Sequence, residues 1–536
     1  MPARRFLYLK VIPGTLLLTL LVVSCTKLGP EFVRPSARVA DQWIESGDNR
    51  VNSEPKEHQQ WWTSFHDPVL DRLIEIAYQE NLTLRSAGVR VLQARAQLAI
   101  VVGQFYPQSQ SLSGSLDRRR ISERAADAPQ NPGRLTGSPH FTTSEAQVAA
   151  AAAWELDFWG KFRRDIESSD ADLLASVADY DNALVSLTAD VATAYIRIRT
   201  HEERLEIARE NVVIQRESLR LAEAKFRGGA TTQRDVEQAR TLLAGTEATI
   251  PSLQIELAKA EHTLSLLLGR VQGQIEEILS ASKGIPSPPS EVAVGIPAEL
   301  LRRRPDIRSA ELQAAAQCAR IGVAKADLYP HFSLTGTFGF LSTDVGRFEL
   351  GDMFSWKSRT GSFGPSFQWD VLNYGRLTNN VRVQDALFQQ AILIYQQTVL
   401  QAQKEVEDAL IGFLRAQEQA KLLEESTKAA SRSLKLAMAQ YREGMTDFTT
   451  VLTAQQALLE QQNNWVTTLG DIGLNLVSLY RALGGGWQLR EGRDFVPTAT
   501  KAEMSERTDW GGLLDPTALP CSTTEKKEPL IRPPDW

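Results

Sequence analysis

The sequence predicts an α+β membrane protein. A small set of strands closes a barrel only with other copies and continues into very long helices, and the whole unit occurs twice per chain. Three observations predict this. Motifs recur at one offset: Phe226-Arg227-Gly228-Gly229 is echoed by Tyr441-Arg442-Glu443-Gly444 (441 − 226 = 215), and Gly160-Lys161 and Leu268-Gly269 are echoed by Gly375-Arg376 and Leu483-Gly484 at the same spacing. Segments 160–269 and 375–484 are therefore one structural unit used twice. Ahead of each unit, short stretches alternate apolar and polar residues with period two. Within each unit, a long segment places an apolar residue at nearly every seventh position, which demands coiled-coil packing.

The elements follow in order. Arg4, Arg5 and Lys10 precede an apolar stretch from Val11 to Val23. At about thirteen residues it is too short to span a bilayer and reads as a signal peptide over 1–24. Leu21-Val22-Val23-Ser24-Cys25 resembles the bacterial lipobox, which implies that Cys25 carries lipid. By the same resemblance, Thr26 after the cysteine favours the outer membrane. Beyond Cys25 no apolar run approaches a transmembrane helix, so any crossing must use strands closed into a barrel.

Residues 25–66 are polar and irregular apart from Trp61-Trp62, and are expected to pack along the rest of the chain. Repeat 1 spans 67–269. Asp67 as N-cap and Pro68 at the first position open a helix expected to run to about Gln104. A strand pair then covers about 107–158, its second strand alternating through Ala146, Val148, Ala150, Ala152, Trp154 and Leu156. A linker rich in Gly and Pro fills 270–298. Repeat 2 spans 299–484, with a helix opening at Pro305 and a strand pair at about 331–372. There Phe332, Leu334, Phe338 and Phe340, then Phe363, Phe367, Trp369 and Val371, alternate with small polar residues, as in a lipid-facing barrel with a wet lumen. The segment 485–536 is a polar tail whose outer part has a disordered composition.

The long helices are proline-free from Lys161 to Phe226, with Val177, Leu184, Val191, Ile198, Leu205, Val212, Leu219 and Phe226 at sevenfold spacing. Ile392, Val399, Val406, Phe413, Ala420, Thr427, Leu434 and Tyr441 repeat the pattern. About 66 residues of helix are roughly 100 Å long. Each ends at a glycine turn and returns through a helix of about 35 residues. Pro251 predicts a kink near Ile250 in the first returning helix.

Composition excludes other classes. A net charge of −6 does not suit nucleic acid. Three distant cysteines and six scattered histidines supply neither a disulfide framework nor a metal site. No nucleophile elbow or phosphate loop appears, so no enzyme and no cofactor is expected. Four strands from one chain leave two open edges in lipid, so the barrel must close by oligomerisation. Eight strands would be filled by side chains, and more than two copies leave a channel.

Leu301-Arg302-Arg303-Arg304-Pro305-Asp306-Ile307, Tyr441-Arg442-Glu443-Gly444, Val451-Leu452-Thr453-Ala454-Gln455 and Leu483-Gly484-Gly485-Gly486-Trp487 resemble the outer-membrane factor family. These are TolC-like lipoprotein channels, here of the NodT type, that serve tripartite efflux systems. The resemblance covers about residues 25–490. It implies a homotrimer with a twelve-stranded β-barrel and a twelve-helix periplasmic barrel, and it places 25–66 and 270–298 in an equatorial region. As partners it implies a periplasmic adaptor (membrane fusion) protein and an inner-membrane transporter of the resistance-nodulation-division type. The family closes its periplasmic tip with an apolar ring and an Asp ring. Carried onto this chain these fall on Thr449 and Thr453, and both depart from the pattern. Asp235, Glu237 and Asp447 are the remaining acidic gate candidates, although a carboxylate in a first helical turn also serves simply to offset the helix dipole. Gly228, Gly229, Thr231, Gly444 and Thr446 are candidates for adaptor contact, where the glycines also satisfy the turn itself. The cargo stays open among drugs, metal ions and exported protein. A helical periplasmic scaffold is the alternative outside the channel class.

Overall fold

The computed structural model describes residues 27–52, 59–120, 122, 142–295, 297–298, 303–344 and 350–515. The expected signal peptide, Cys25, Leu301, Arg302 and the tail beyond Asp515 lie outside the described residues. The strands are β1 (Val51–Asn52), β2 (Ser109–Arg120), β3 (Thr142–Leu156), β4 (Val292–Ala293), β5 (His331–Thr343) and β6 (Arg359–Gln368). The main helices are α1 (Pro68–Glu80), α2 (Leu82–Gly103), α3 (Lys161–Arg227), α4 (Gln233–Leu267), α5 (Pro305–Ala326), α6 (Arg376–Arg442), α7 (Phe448–Ala482) and α8 (Thr498–Arg507).

Four strands form one antiparallel sheet in the order β2-β3-β5-β6. Its register sorts side chains by face. Leu112 pairs with Ala150, Ala150 with Phe338, and Phe338 with Gly361, while Trp154 pairs with Leu334 and Leu334 with Pro365. Because faces alternate with period two, one face carries Leu112, Leu116, Val148, Trp154, Phe338, Phe363 and Phe367, and the other carries serines and threonines with Asp117, Arg119, Glu145 and Gln147. The large residues at the edges are open, with Leu112 at 79% and Phe363 at 80% exposure, as a lipid-facing surface requires. Trp369 and Val371, expected inside the last strand, lie beyond it. The partner strand β5 starts at His331, which already pairs with Gln368, so no residue remains for them to pair with.

Both long helices have 67 residues and both return helices have 35. α4 continues as helix through Pro251. The first helix of repeat 1, expected to be single, is two. Asp67 caps α1 through Oδ1, which accepts from Val69 N–H at 2.8 Å. Asn81 then stands extended and caps α2 by accepting from Leu84 N–H at 2.7 Å. The break has a physical cause: the Asn81 amide donates to Leu267 O at 2.8 Å, so α2 starts where α4 ends. Repeat 2 makes the same junction with different chemistry. The buried guanidinium of Arg304 donates to Ala482 O at 2.7 Å and pairs with Asp306 and Glu405, so α5 starts where α7 ends.

The helices thus form four columns: α4 with α2, then α3, then α7 with α5, then α6. α3 packs against α4 and α2 on one side and against α7 and α5 on the other, and α6 packs on α7 and α5. This is also the order of the strands that the columns feed. Of the apolar sevenfold series on α3, Val177 through Val212 are buried, whereas Phe226 at the last turn is 44% exposed because the tip core closes on the Tyr441 side. The outer column α6 shows further exposed apolar residues, among them Leu400, Leu422 and Leu436.

The remaining segments wrap one face of the columns. β1 and β4 pair in parallel, joining the N-terminal segment to the linker. Arg164 of α3, almost wholly buried, donates to Leu28 O at 2.9 Å and pairs with Glu31. Trp61 stacks on Tyr480 at 5.3 Å. The tail from Trp487 to Asp515 is ordered against α2 and α3: Arg490 forms a buried pair with Asp181, Phe495 packs on Tyr180, and Arg95 donates to Leu513 O and Asp515 O.

Candidate functional site at the helix tips and inner face

The two hairpin turns are built alike. The backbone at Gly229 (φ 73°) and Gly444 (φ 75°) is left-handed, which glycine adopts without strain. Ala230 N–H donates to Lys225 O at 2.8 Å and Met445 N–H donates to Gln440 O at 2.9 Å, so both helices end in the same six-to-one bond. A side chain added at either glycine would meet nothing within 4 Å, so both turns present bare backbone to solvent.

The polar residues beside the turns are engaged locally. Thr231 donates its hydroxyl to the carboxylate of Asp235, which is buried. Thr446 donates to the Thr450 hydroxyl at 2.9 Å. Asp447 is the N-cap of α7, accepting from Thr450 N–H at 3.2 Å and from its hydroxyl at 3.0 Å. Glu237 pairs with Arg240 at 3.1 Å. Gly228 is the C-cap of α3, donating its N–H to Ala224 O. Behind the turns a small core of Val236, Ala239, Leu434, Tyr441, Phe448 and Val451 binds the two hairpins together. Tyr441 and Phe448 meet edge to face at 5.3 Å, and burial pushes the Tyr441 phenol upward.

Which helix faces look inward follows from the wrapping segments. They cover Asp181 of α3 and Cys318 of α5, where the Cys318 thiol lies 3.7 Å from Pro30 O. Two residues are about 200° around a helix, so Asp179 and Arg320 sit on the opposite, unwrapped face. There they line an open groove of about 500 Å³ with Asp172, Gln317 and Gln390, and with Leu387 and Ile394 of α6. The same face continues down the columns, where Arg481 of α7 pairs with Asp190 of α3 at 3.3 Å. Partial burial pushes the Asp190 carboxyl upward and Arg481 opposes this. Thr453 lies four sevenfold repeats from Arg481 (481 − 453 = 28) and Thr449 one turn further on. Both are exposed, and the Thr453 hydroxyl is turned back to Thr449 O at 2.9 Å. Thr449 and Thr453 are thus exposed near the tip, while Asp235 and Asp447 are tied into their turns.

Sequence reasoning missed a polar seam between the hairpins just above the tip core. Asn211 donates to Gln462 Oε1 at 2.8 Å, and Gln455 donates to the Ser218 hydroxyl at 2.6 Å. Gln215 between them is buried with both amide atoms unpaired. The signal was present: 211, 215 and 218 are polar at four- and three-residue spacing, a buried stripe written in polar residues.

Comparison with known proteins agrees with this architecture. The profile described as "Outer membrane efflux protein" matches residues 73–270 and 296–485. The chain is 29% identical over 474 residues to nodulation protein T of Rhizobium leguminosarum bv. trifolii, covering 88% of this chain and 96% of that protein. It is 29% identical over 468 residues to the probable outer membrane lipoprotein SilC of Salmonella typhimurium, covering 87% and 97%. Among solved structures, the outer-membrane channel OprN superposes with a TM-score of 0.78 at 33% identity, over 86% of this chain and all of that one.

Proposed function

Because this chain belongs to the outer membrane efflux protein family, we propose that its unwrapped polar face lines an exit duct whose periplasmic end is closed by Thr449 and Thr453. The chain is one protomer of a trimeric outer-membrane channel, with the β-barrel continued by a helical barrel, and serves efflux. Three copies turn four strands and four columns into twelve of each. Closure pairs the open edges of β2 and β6 and brings the exposed side of α6 against the next protomer. Spacing supports the gate reading: Thr453 lies four sevenfold repeats from Arg481, whose pair with Asp190 is on the face opposite the wrapping segments. A threonine ring is smaller than a leucine ring and lacks the charge of an aspartate ring, so the tip is held by packing and hydroxyl contacts rather than by bound cations.

The same reading assigns the bare turns at Gly228, Gly229 and Gly444, with Thr231 and Thr446, to the periplasmic adaptor, and an inner-membrane transporter to the adaptor's other end. Cys25 carries lipid in the outer membrane. Arg164 holds Leu28 and Glu31 on α3 close to the sheet, which suits an anchor at that height. The gate is tested by conductance of T453C trimers in planar bilayers. Thiols converging on the axis would bind cadmium and block the current, and a chelator would restore it. Current indifferent to cadmium would remove Thr453 from the constriction.

A further inference from the structure

The outward face of the sheet changes character sharply at its outer end. On β2 the apolar set ends at Leu116, and the next two residues of the same face are Arg118 and Arg120, both exposed. On β6 the outermost residue, Arg359, pairs with Phe340 and so shares that face. Its guanidinium lies 4.8 Å over the Trp356 ring and donates to Trp356 O at 2.7 Å. Phe354 and Trp356 are themselves exposed, at the level where aromatic residues mark a membrane interface. Of the described acids at this end, Asp344 lies beside Arg118, and its carboxylate already accepts from Ser144 N–H at 2.5 Å, while Asp352 lies in the turn ahead of Trp356.

β2 and β6 are the two edges of the sheet, and β2 runs outward while β6 runs inward. Closing the barrel antiparallel therefore sets the Arg359 end of one protomer beside the Arg118 and Arg120 end of the next. Each subunit boundary then carries three guanidinium groups at the outer rim, directly above an apolar wall of Leu112, Leu116 and Phe363. Guanidinium groups match phosphate oxygens in pairs, and the wall below suits acyl chains. We propose that each boundary is a binding site for a phosphorylated, acylated glycolipid of the outer leaflet, with its phosphates on Arg118, Arg120 and Arg359 and its chains along the apolar face. The proposal goes beyond the duct reading and rests only on the outer-membrane placement and the trimeric closure.

The test uses full-length trimers in detergent, titrated with diphosphorylated lipid A, with the same lipid stripped of phosphate, and with phosphatidylglycerol. Binding is read by native mass spectrometry. Three molecules of diphosphorylated lipid A per trimer are expected, and the other two lipids should bind at least tenfold more weakly. R118Q/R120Q/R359Q should weaken lipid A binding on the order of a hundredfold, since each basic residue near an anionic surface is worth roughly a factor of five. Its trimer band and the drug resistance of the cells should be unchanged. Equal binding of the phosphate-free lipid, equal binding of phosphatidylglycerol, or wild-type affinity in the variant would each overturn the proposal. The lipid comparison needs no variant, so it decides the matter even if the substitutions lower trimer yield. Resistance is scored separately, so failure here leaves the duct reading standing.

Discussion

Gly444 separates a turn's need for glycine from a partner's need for a bare surface. Its φ of 75° is the first constraint: an L-residue there costs about 1 kcal/mol, whatever its size. The second constraint is absent, because an added Cβ meets nothing within 4 Å and larger groups extend into solvent. The folding cost of Gly444→Ala and Gly444→Trp should therefore be nearly the same. It is small against a hairpin that buries Tyr441, Phe448 and Val451 just behind the turn. Gly444→Asn should cost less than either, since asparagine tolerates left-handed backbone. If the turn only closes a hairpin, all three variants keep efflux. If an adaptor docks there, efflux falls with side-chain volume: alanine nearly wild type, tryptophan abolished. Drug susceptibility of complemented cells gives the readout, with heat-sensitive trimer migration as the folding control. Tryptophan with full resistance refutes docking at Gly444. Alanine as damaging as tryptophan, with normal trimer, refutes the claim that surface rather than backbone is read.

Two further outcomes follow from the columns. Arg490→Ala removes the partner of the buried Asp181 and should destabilise the protomer by about 3–5 kcal/mol, read as loss of trimer at lower temperature, while the double replacement by apolar residues recovers much of it. Asp170 has its carboxyl pushed upward by burial alone, so its ionisation opposes folding. Asp170→Asn should raise trimer melting at pH 7 to 8, with the gain shrinking as pH falls through the raised folded pKa and vanishing below the ordinary carboxylate range; a gain that persists at pH 3 would refute it.

Much of the tube was legible because its rules are periodic. Sevenfold spacing marked α3 and α6, glycine at 228–229 and 444 marked their ends, and alternation marked β3 and β5. What was not legible depends on contacts between segments far apart in the chain. Nothing near Asn81 announces a break; the break exists because Leu267 O, 186 residues later, accepts a hydrogen bond from its side-chain amide. Arg304 was visible as part of a motif, but its job, fastening α5 to the end of α7, appears only when Ala482 and Glu405 come beside it. The end of β6 was missed for the same reason, since strand length is set by the partner. The inward face was hidden too, because it is defined by what wraps the opposite side.

The 215-residue repeat also explains how the two tips come to differ while keeping one geometry. Thr231 and Thr446 are equivalent, and each donates to the residue four further on, Asp235 in one copy and Thr450 in the other. The N-cap positions, Thr232 and Asp447, are equivalent as well. Threonine and aspartate have thus exchanged places between the third and the capping position. Either arrangement puts one carboxylate at the helix N-terminus, in the first turn as Asp235 or at the cap as Asp447, where it offsets the helix dipole. The consequence lies in exposure. The first copy buries its acid against Thr231, whereas the second holds Asp447 exposed at the entrance to α7. With Arg234 and Gln238 standing where α7 has Thr449 and Thr453, only the second hairpin offers small, uncharged side chains at these two positions. On the gate proposed above, a constriction built from hydroxyl-bearing residues would be a property of α7 and not of the α3–α4 hairpin.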